Sequence, residues 1–258
     1  DSNGNTIWSK AFGGTGNDYL CNVRQTDDNG YVAVGYTTSN DGDISGNHNG
    51  YDGWIIKIDS NGNTVWSKAF GGTGDDSLQS IIITSDGEYL AVGHTASNDG
   101  DISDNHGNGD GWIVKVDSNG NTIWSKAFGG FGAEKLNSVY QTSDGGYIAV
   151  GYTLSNDGWV IKVDSSGNLL WSKAFGGSSS DILYNVIQTD DGGYIAVGNT
   201  HSNDRDISGN HGGYEGWIIK VDETGTKVWS KAFGGTSAEQ LNSIYQSDDG
   251  GYIAVGYA

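Results

Sequence analysis

The side chains best placed to do chemistry lie in three polar loops of nearly the same sequence. The first, SNDGDISGNHNGYDGW, carries Asp41, Asp43, Ser45, Asn47 and Asp52, with Gly46 among them. Equivalent loops supply Asp99, Asp101, Ser103 and Asp110, and then Asp204, Asp206, Ser208 and Glu215. Oxygen-bearing side chains at alternating positions can wrap one hard cation, and Ca²⁺ takes about six to eight oxygens. These residues are therefore the candidate ligands of a Ca²⁺ cofactor. Each loop also holds one histidine, His48, His106 or His211, and two of the loops add Tyr51 or Tyr214. A lone His with no second His or Cys at ligand spacing is a poor zinc site. The three histidines and two tyrosines are instead the candidate ligand-contacting groups, because an aromatic ring with a polar tip can stack and hydrogen-bond.

Counted from Asp41, the spacing D-x-D-x-S-G-x5-D resembles a twelve-residue EF-hand calcium loop, and the Asp204 loop ends on Glu215 as that pattern requires. Three features depart from it. Asp104 replaces the glycine of the middle loop, histidine takes the usually apolar eighth position, and strands flank the loops. In the third repeat the loop shrinks to SNDGW around Asp157 and cannot form the site. The alternative is a self-capped loop whose Asp and Asn side chains bond their own backbone. Cys21, the single cysteine, lies on an expected inner strand with no histidine nearby in sequence, which predicts a partly buried, unreactive thiol.

The elements that hold these loops repeat. WSKAFGG begins at Trp8, Trp66, Trp124, Trp171 and Trp229, at intervals of 58, 58, 47 and 58 residues. A motif of the form D-G-G-Y-I-A-V-G ends at Gly35, Gly93, Gly151, Gly198 and Gly256, and G-W-[IV]-[IV]-K-[IV]-D occurs at Trp54, Trp112, Trp159 and Trp217. The repeats start at residues 1, 59, 117, 164 and 222 of one expected domain, 1–258, the last being incomplete. Each predicts four strands, as at 19–26, 31–37, 54–58 and 64–70, joined by Asn-Gly and Asp-Gly turns that supply positive φ cheaply. Residues 6–12 should form a fourth-type strand and 252–257 a second-type one. Tryptophans that recur in every repeat predict packing between neighbouring sheets. Lys10, Lys68, Lys126, Lys173 and Lys231 each precede an acid by eight residues, which suggests a repeated pair.

Composition excludes several functions. Thirteen Lys and Arg against 32 Asp and Glu give a net charge of −19, which argues against nucleic acid or an anionic membrane as partner. No run of about 18 apolar residues occurs, so no membrane insertion is expected. Forty-four glycines and no proline suit short strands and tight turns. With no initiator Met and no signal sequence, the chain reads as a mature product or an excised fragment.

The pattern K-[IV]-D-x-x-G-N-x-x-W, as at 57–66, resembles the third-to-fourth strand hairpin of pyrroloquinoline-quinone-type propeller blades. The whole unit resembles the tandem β-propeller repeats of secreted and surface proteins of bacteria and archaea. That resemblance implies an all-β propeller of four-stranded antiparallel blades, five of them or a fragment of a longer array, and an extracellular or cell-surface location. No quinone site is matched, so the blade is implied and not an enzyme. The expectation drawn is a non-enzymatic binding or adhesion module, its repeated loops organised by Ca²⁺ and presented to an extracellular glycan or protein with avidity. The alternatives are a structural spacer, a self-associating surface or filament subunit, and a glycosidase with a carboxylate pair, for which the sequence offers little asymmetry.

Overall fold

The computed structural model describes residues 2–258. The chain divides into two compact units, Asp1–Phe128 and Gly129–Ala258. Unit 1 contains β1 (Asp18–Gln25), β2 (Tyr31–Thr37), β3 (Asp52–Ile58), β4 (Thr64–Phe70), β5 (Asp76–Ile83), β6 (Tyr89–Thr95), β7 (Asp110–Val116) and β8 (Thr122–Phe128). Unit 2 contains β9 (Lys135–Gln141), β10 (Tyr147–Tyr152), β11 (Gly158–Val163), β12 (Leu169–Phe175), β13 (Asp181–Gln188), β14 (Tyr194–Thr200), β15 (Glu215–Val221), β16 (Lys227–Phe233), β17 (Gln240–Gln246) and β18 (Tyr252–Tyr257). Among the described residues these form four antiparallel sheets of four consecutive strands and a two-stranded sheet, β17–β18. The chain is all-β and built of propeller blades, as its repeats predict.

Residues 6–12 differ from expectation, since they form no strand. The segment lies on the first blade through its side chains. Trp8 Nε1 donates to Ser60 O at 3.1 Å, its ring meets Tyr31 edge-on, and Lys10 Nζ reaches Asn63 Oδ1 at 2.8 Å. Trp66 and Lys68 grip the next β-turn likewise, bonding Ser118 O and Gly120 O at 2.9 and 2.7 Å. Lys10 and Lys68 therefore bond the turn of a neighbouring repeat and not the acids eight residues on.

Within a blade the two tryptophan motifs fit each other. The indole N–H of Trp54 donates to Ser67 Oγ at 2.8 Å, and Trp112, Trp159 and Trp217 do the same to Ser125, Ser172 and Ser230. Burying these rings with their one polar atom satisfied is what favours Trp and Ser together. Lys57, Lys115, Lys162 and Lys220 are buried, and each pairs with a turn aspartate, Asp28, Asp86, Asp144 or Asp191. A glycine faces a bulge in each first strand. A Cβ on Gly93, for instance, would lie 1.8 Å from Ser77 O, next to the register shift between Leu78 and Ser80.

Blades stack through one repeated apolar contact. In unit 1, β5 sets Leu78 and Ile81 against Val32, Val34 and Ile55. In unit 2, β13 sets Leu183 and Val186 against Ile148, Val150 and Val160. Leu241 and Ile244 of β17 join Ile195, Val197 and Ile218 in the same way. Burying each such side chain stabilises by roughly 1.5–3 kcal/mol.

Candidate functional site

The loop carboxylates point at the backbone of the preceding WSKAFGG turn. Asp41 accepts from Thr15 N at 2.8 Å and Thr15 Oγ1 at 3.0 Å, and Asp43 from Gly13 N at 3.1 Å. Asp99 and Asp101 hold Thr73 and Gly71 in the same way, and Asp204 and Asp206 hold Ser178 and Gly176. Asn47 donates to Thr37 O, the Ser45 carbonyl accepts from Ala69 N, and Ser103 and Ser208 face solvent. Among the described residues no three His, Cys, Asp or Glu side chains converge as a metal-holding group.

The loop histidines meet the last acid of their own loops. His48 Nδ1 lies 2.8 Å from Asp52 Oδ2, His106 Nδ1 2.9 Å from Asp110 Oδ2, and His211 Nδ1 3.0 Å from Glu215 Oε1. The three acids are fully buried, and the second oxygen of each has no hydrogen-bond partner. Burial is the largest reason that Asp52 is pushed up to about 6, and the Asp76 carboxylate adds to it. Asp76 is itself fully engaged, accepting from Ser97 Oγ at 2.7 Å, Gly72 N at 2.9 Å and Thr95 Oγ1. Asp181 repeats this arrangement and faces Asp157, which burial likewise shifts upward.

The first copy of this construction is open. Asp18, at the head of β1, accepts from Gly14 N at 2.8 Å, Ser39 Oγ at 3.0 Å and Thr37 Oγ1. Asp76 and Asp181 are shut in, but Asp18 is half-buried and lines a cavity of about 520 Å³ with Asp43, Gly13, Gly14, Asn17 and Tyr19. Tyr19 stacks on Tyr36 at 4.8 Å, and Tyr36 meets the predicted Tyr51 edge-on at 5.4 Å. In the second repeat these three positions are Ser77, His94 and Gly109, so this aromatic cluster marks the first blade. Tyr214, the other predicted aromatic, packs at 4.9 Å on His201 in unit 2, and its carbonyl accepts from Glu239 N. A cavity of about 450 Å³ in unit 2 is lined by Lys162, its partner Asp144 and Trp171, which belong to the blade framework.

Sequence reasoning missed Asp18, Tyr19 and Tyr36. The tyrosine at 19, where the other repeats have Ser77, Lys135, Ile182 and Gln240, was the available signal. Cys21 is exposed, contrary to expectation.

No family model and no curated protein matches this chain. Solved structures similar to it include a protein of unknown function from Bacteroides caccae, at 14% identity over 88% of this chain and 85% of that one, TM-score 0.48. Another is a candidate exo-β-1,3-galactanase from Bifidobacterium bifidum s17, at 11% identity over 91% and 80%, TM-score 0.45. A third is a GH43 endo-arabinanase from Bacillus licheniformis, at 10% identity over 95% and 96%, TM-score 0.43. The latter two are carbohydrate-cleaving enzymes by name. That finding corrects the expectation of a non-enzymatic adhesion module and the reading of this chain as no enzyme. At such identities and scores it assigns no reaction, and any activity must be argued from the site itself.

Proposed function

We propose that the protein is a glycoside hydrolase acting on an extracellular polysaccharide at the Asp18–Asp43 cavity. The observation that carries this reading is the pairing, in the first blade alone, of an uncovered carboxylate pair with a tyrosine cluster. Glycoside hydrolysis needs two carboxyl groups flanking the scissile bond, and sugar rings stack on exposed aromatic faces. Asp18 is locked by three donors and would oppose the positive charge that develops at the anomeric carbon. Asp43 is tied to Gly13 N and only loosely to Thr64 Oγ1, at 3.4 Å, and would handle the proton. Tyr19, about half exposed, would seat the neighbouring sugar. Membership of the tandem propeller repeat family, suggested by the five WSKAFGG copies, is part of the same proposal.

The test is reducing-sugar release from galactan, arabinan and other soluble polysaccharides, together with a panel of aryl glycosides. Cleavage of at least one substrate is expected. Asp43→Asn should then lower kcat by about 10²–10⁴, the usual contribution of a general acid, and Tyr19→Ala should raise KM. No cleavage across the panel, or an Asp43→Asn variant of full activity, would overturn the assignment.

A further inference from the structure

The junction of the third and fourth blades, inside unit 2, departs from the repeat at one side chain. Trp66 Nε1 donates to Ser118 O at 2.9 Å, and one junction type recurs when Trp171 Nε1 donates to Glu223 O at 3.3 Å. This bond fixes residue 223 beside the indole, so its side chain emerges there. Ser60, Ser118 and Ser165 hold that position in the other repeats, whereas Glu223 brings a carboxylate. The cavity of about 450 Å³ at this junction is lined by Trp171, Tyr194, Gln188, Glu223 and the Lys162–Asp144 pair. Its two rings lie 6.0 Å apart, tilted by 53°, with Trp171 only partly buried. At the junction of the first two blades Ile83 stands where Gln188 does here, and it joins the apolar cluster of Trp66 and Tyr89. Gln188 Oε1 instead accepts from Ser143 N at 2.7 Å and its Nε2 donates to Gly192 O at 3.3 Å, which pins it along the cavity wall.

The charges around this cavity do not cancel. Lys162 Nζ lies 3.0 Å from Asp144 Oδ2 and is matched by it, which leaves the exposed Glu223 as the excess charge. Both carboxylates bear on the Tyr194 hydroxyl, which burial first, and then Asp144 and Glu223, push up to about 12. The phenol therefore stays neutral. An aromatic wall beside an excess carboxylate suits an organic cation, which the ring face and the charge both attract. Glu223 and the net charge of −19 oppose an anion. We propose that this cavity binds an alkylammonium group, its carbons on Trp171 and its charge toward Glu223. The volume lies within the range of about 300–1,000 Å³ that small-molecule sites occupy. Such a group arrives as a free amine or as a lysine side chain, and two probes separate these sources.

Calorimetric titration of the full chain with choline, and separately with a lysine capped at both ends, tests this. At least one probe should bind, and in a nitrogen-15 proton correlation spectrum it should shift the indole resonance of Trp171, assigned through Trp171→Phe. Dimethylbutanol, the uncharged carbon analogue of choline, should not bind. Glu223→Ser installs the residue of the other repeats and so keeps the fold, which near-ultraviolet circular dichroism checks. It should weaken binding by about tenfold or more, the usual worth of a contact to a charged group. Glu223→Gln keeps the size of the side chain, removes its charge and should weaken binding equally. No binding of either probe at millimolar concentration, dimethylbutanol binding as well as choline, or unchanged affinity in Glu223→Gln would overturn the proposal. The readout is binding in unit 2, so loss of the hydrolase reading, which rests on Asp18 and Asp43, would leave it untouched.

Discussion

Replacing Asp52 by Asn should change how stability depends on pH, with a sign that the geometry dictates. Asp52 is fully buried, and one of its oxygens takes both hydrogen bonds from His48 while the other has no partner. Burial raises this carboxyl from the ordinary 3.8 to about 6. Between those values the folded chain keeps a proton that the unfolded chain has released. The slope of the unfolding free energy is therefore negative there, and stability contributed by protonated Asp52 is lost as pH rises through about 6. Each unit is worth about 1.36 kcal/mol, so the full shift corresponds to about 3 kcal/mol. Relaxation, and water entering past the half-exposed His48, would reduce that toward about 1 kcal/mol. Asn keeps an acceptor for His48 and cannot ionise. Guanidinium unfolding of both forms at closely spaced pH values should show the variant gaining on the wild type by about 1–3 kcal/mol from pH 4 to 6.5. The Asp28-type carboxylates, held low by bonds from Thr26 and then Lys57, lose their contribution as pH falls below the ordinary value, and they do so equally in both forms. Parallel pH profiles, or a variant that weakens relative to wild type as pH rises, would refute the reasoning.

The buried lysines give an asymmetric pair of outcomes. Asp28→Ala leaves Lys57 buried with its charge unmatched and should destabilise by about 3 kcal/mol, whereas Lys57→Met strands only an exposed carboxylate and should cost about 1 kcal/mol or less. Equal losses in denaturant unfolding would show that Asp28 acts through its turn alone. Gly93→Ala drives a methyl into the Ser77 carbonyl, a backbone atom that cannot rotate away, and should cost at least the roughly 1–3 kcal/mol of core overpacking. An unchanged melting temperature would mean the bulge on β5 is soft. Calcium titrated into chelator-stripped protein should leave the melting temperature unchanged, because Asp41 and Asp99 each bond a threonine through both oxygens. A rise that saturates with Ca²⁺ would restore the loops as a cation site.

The blades were legible from the repeats because every local signal agreed: turn glycines, β-branched runs and a tryptophan at the same place in each copy. The strand edges at 31–37 and 64–70 coincide with β2 and β4 for that reason. Residues 6–12 were not legible, although they carry the same WSKAF as β4. A strand is defined by the neighbour that accepts its hydrogen bonds, and a motif cannot state whether that neighbour stands beside it. The loop aspartates pose a related problem. Alternating oxygens are what a cation needs, and they are equally what a turn of unpaired N–H groups needs, so composition cannot choose between Ca²⁺ and the backbone of Gly13 to Thr15. The candidate site, too, is a matter of position. Asp18, Asp76 and Asp181 are one residue in three of the five repeats, each bonded to a Thr, a Ser and a glycine N–H. Asp76 and Asp181 are shut in and serve the fold, while Asp18 is half-buried and is followed by Tyr19 where they are followed by Ser77 and Ile182.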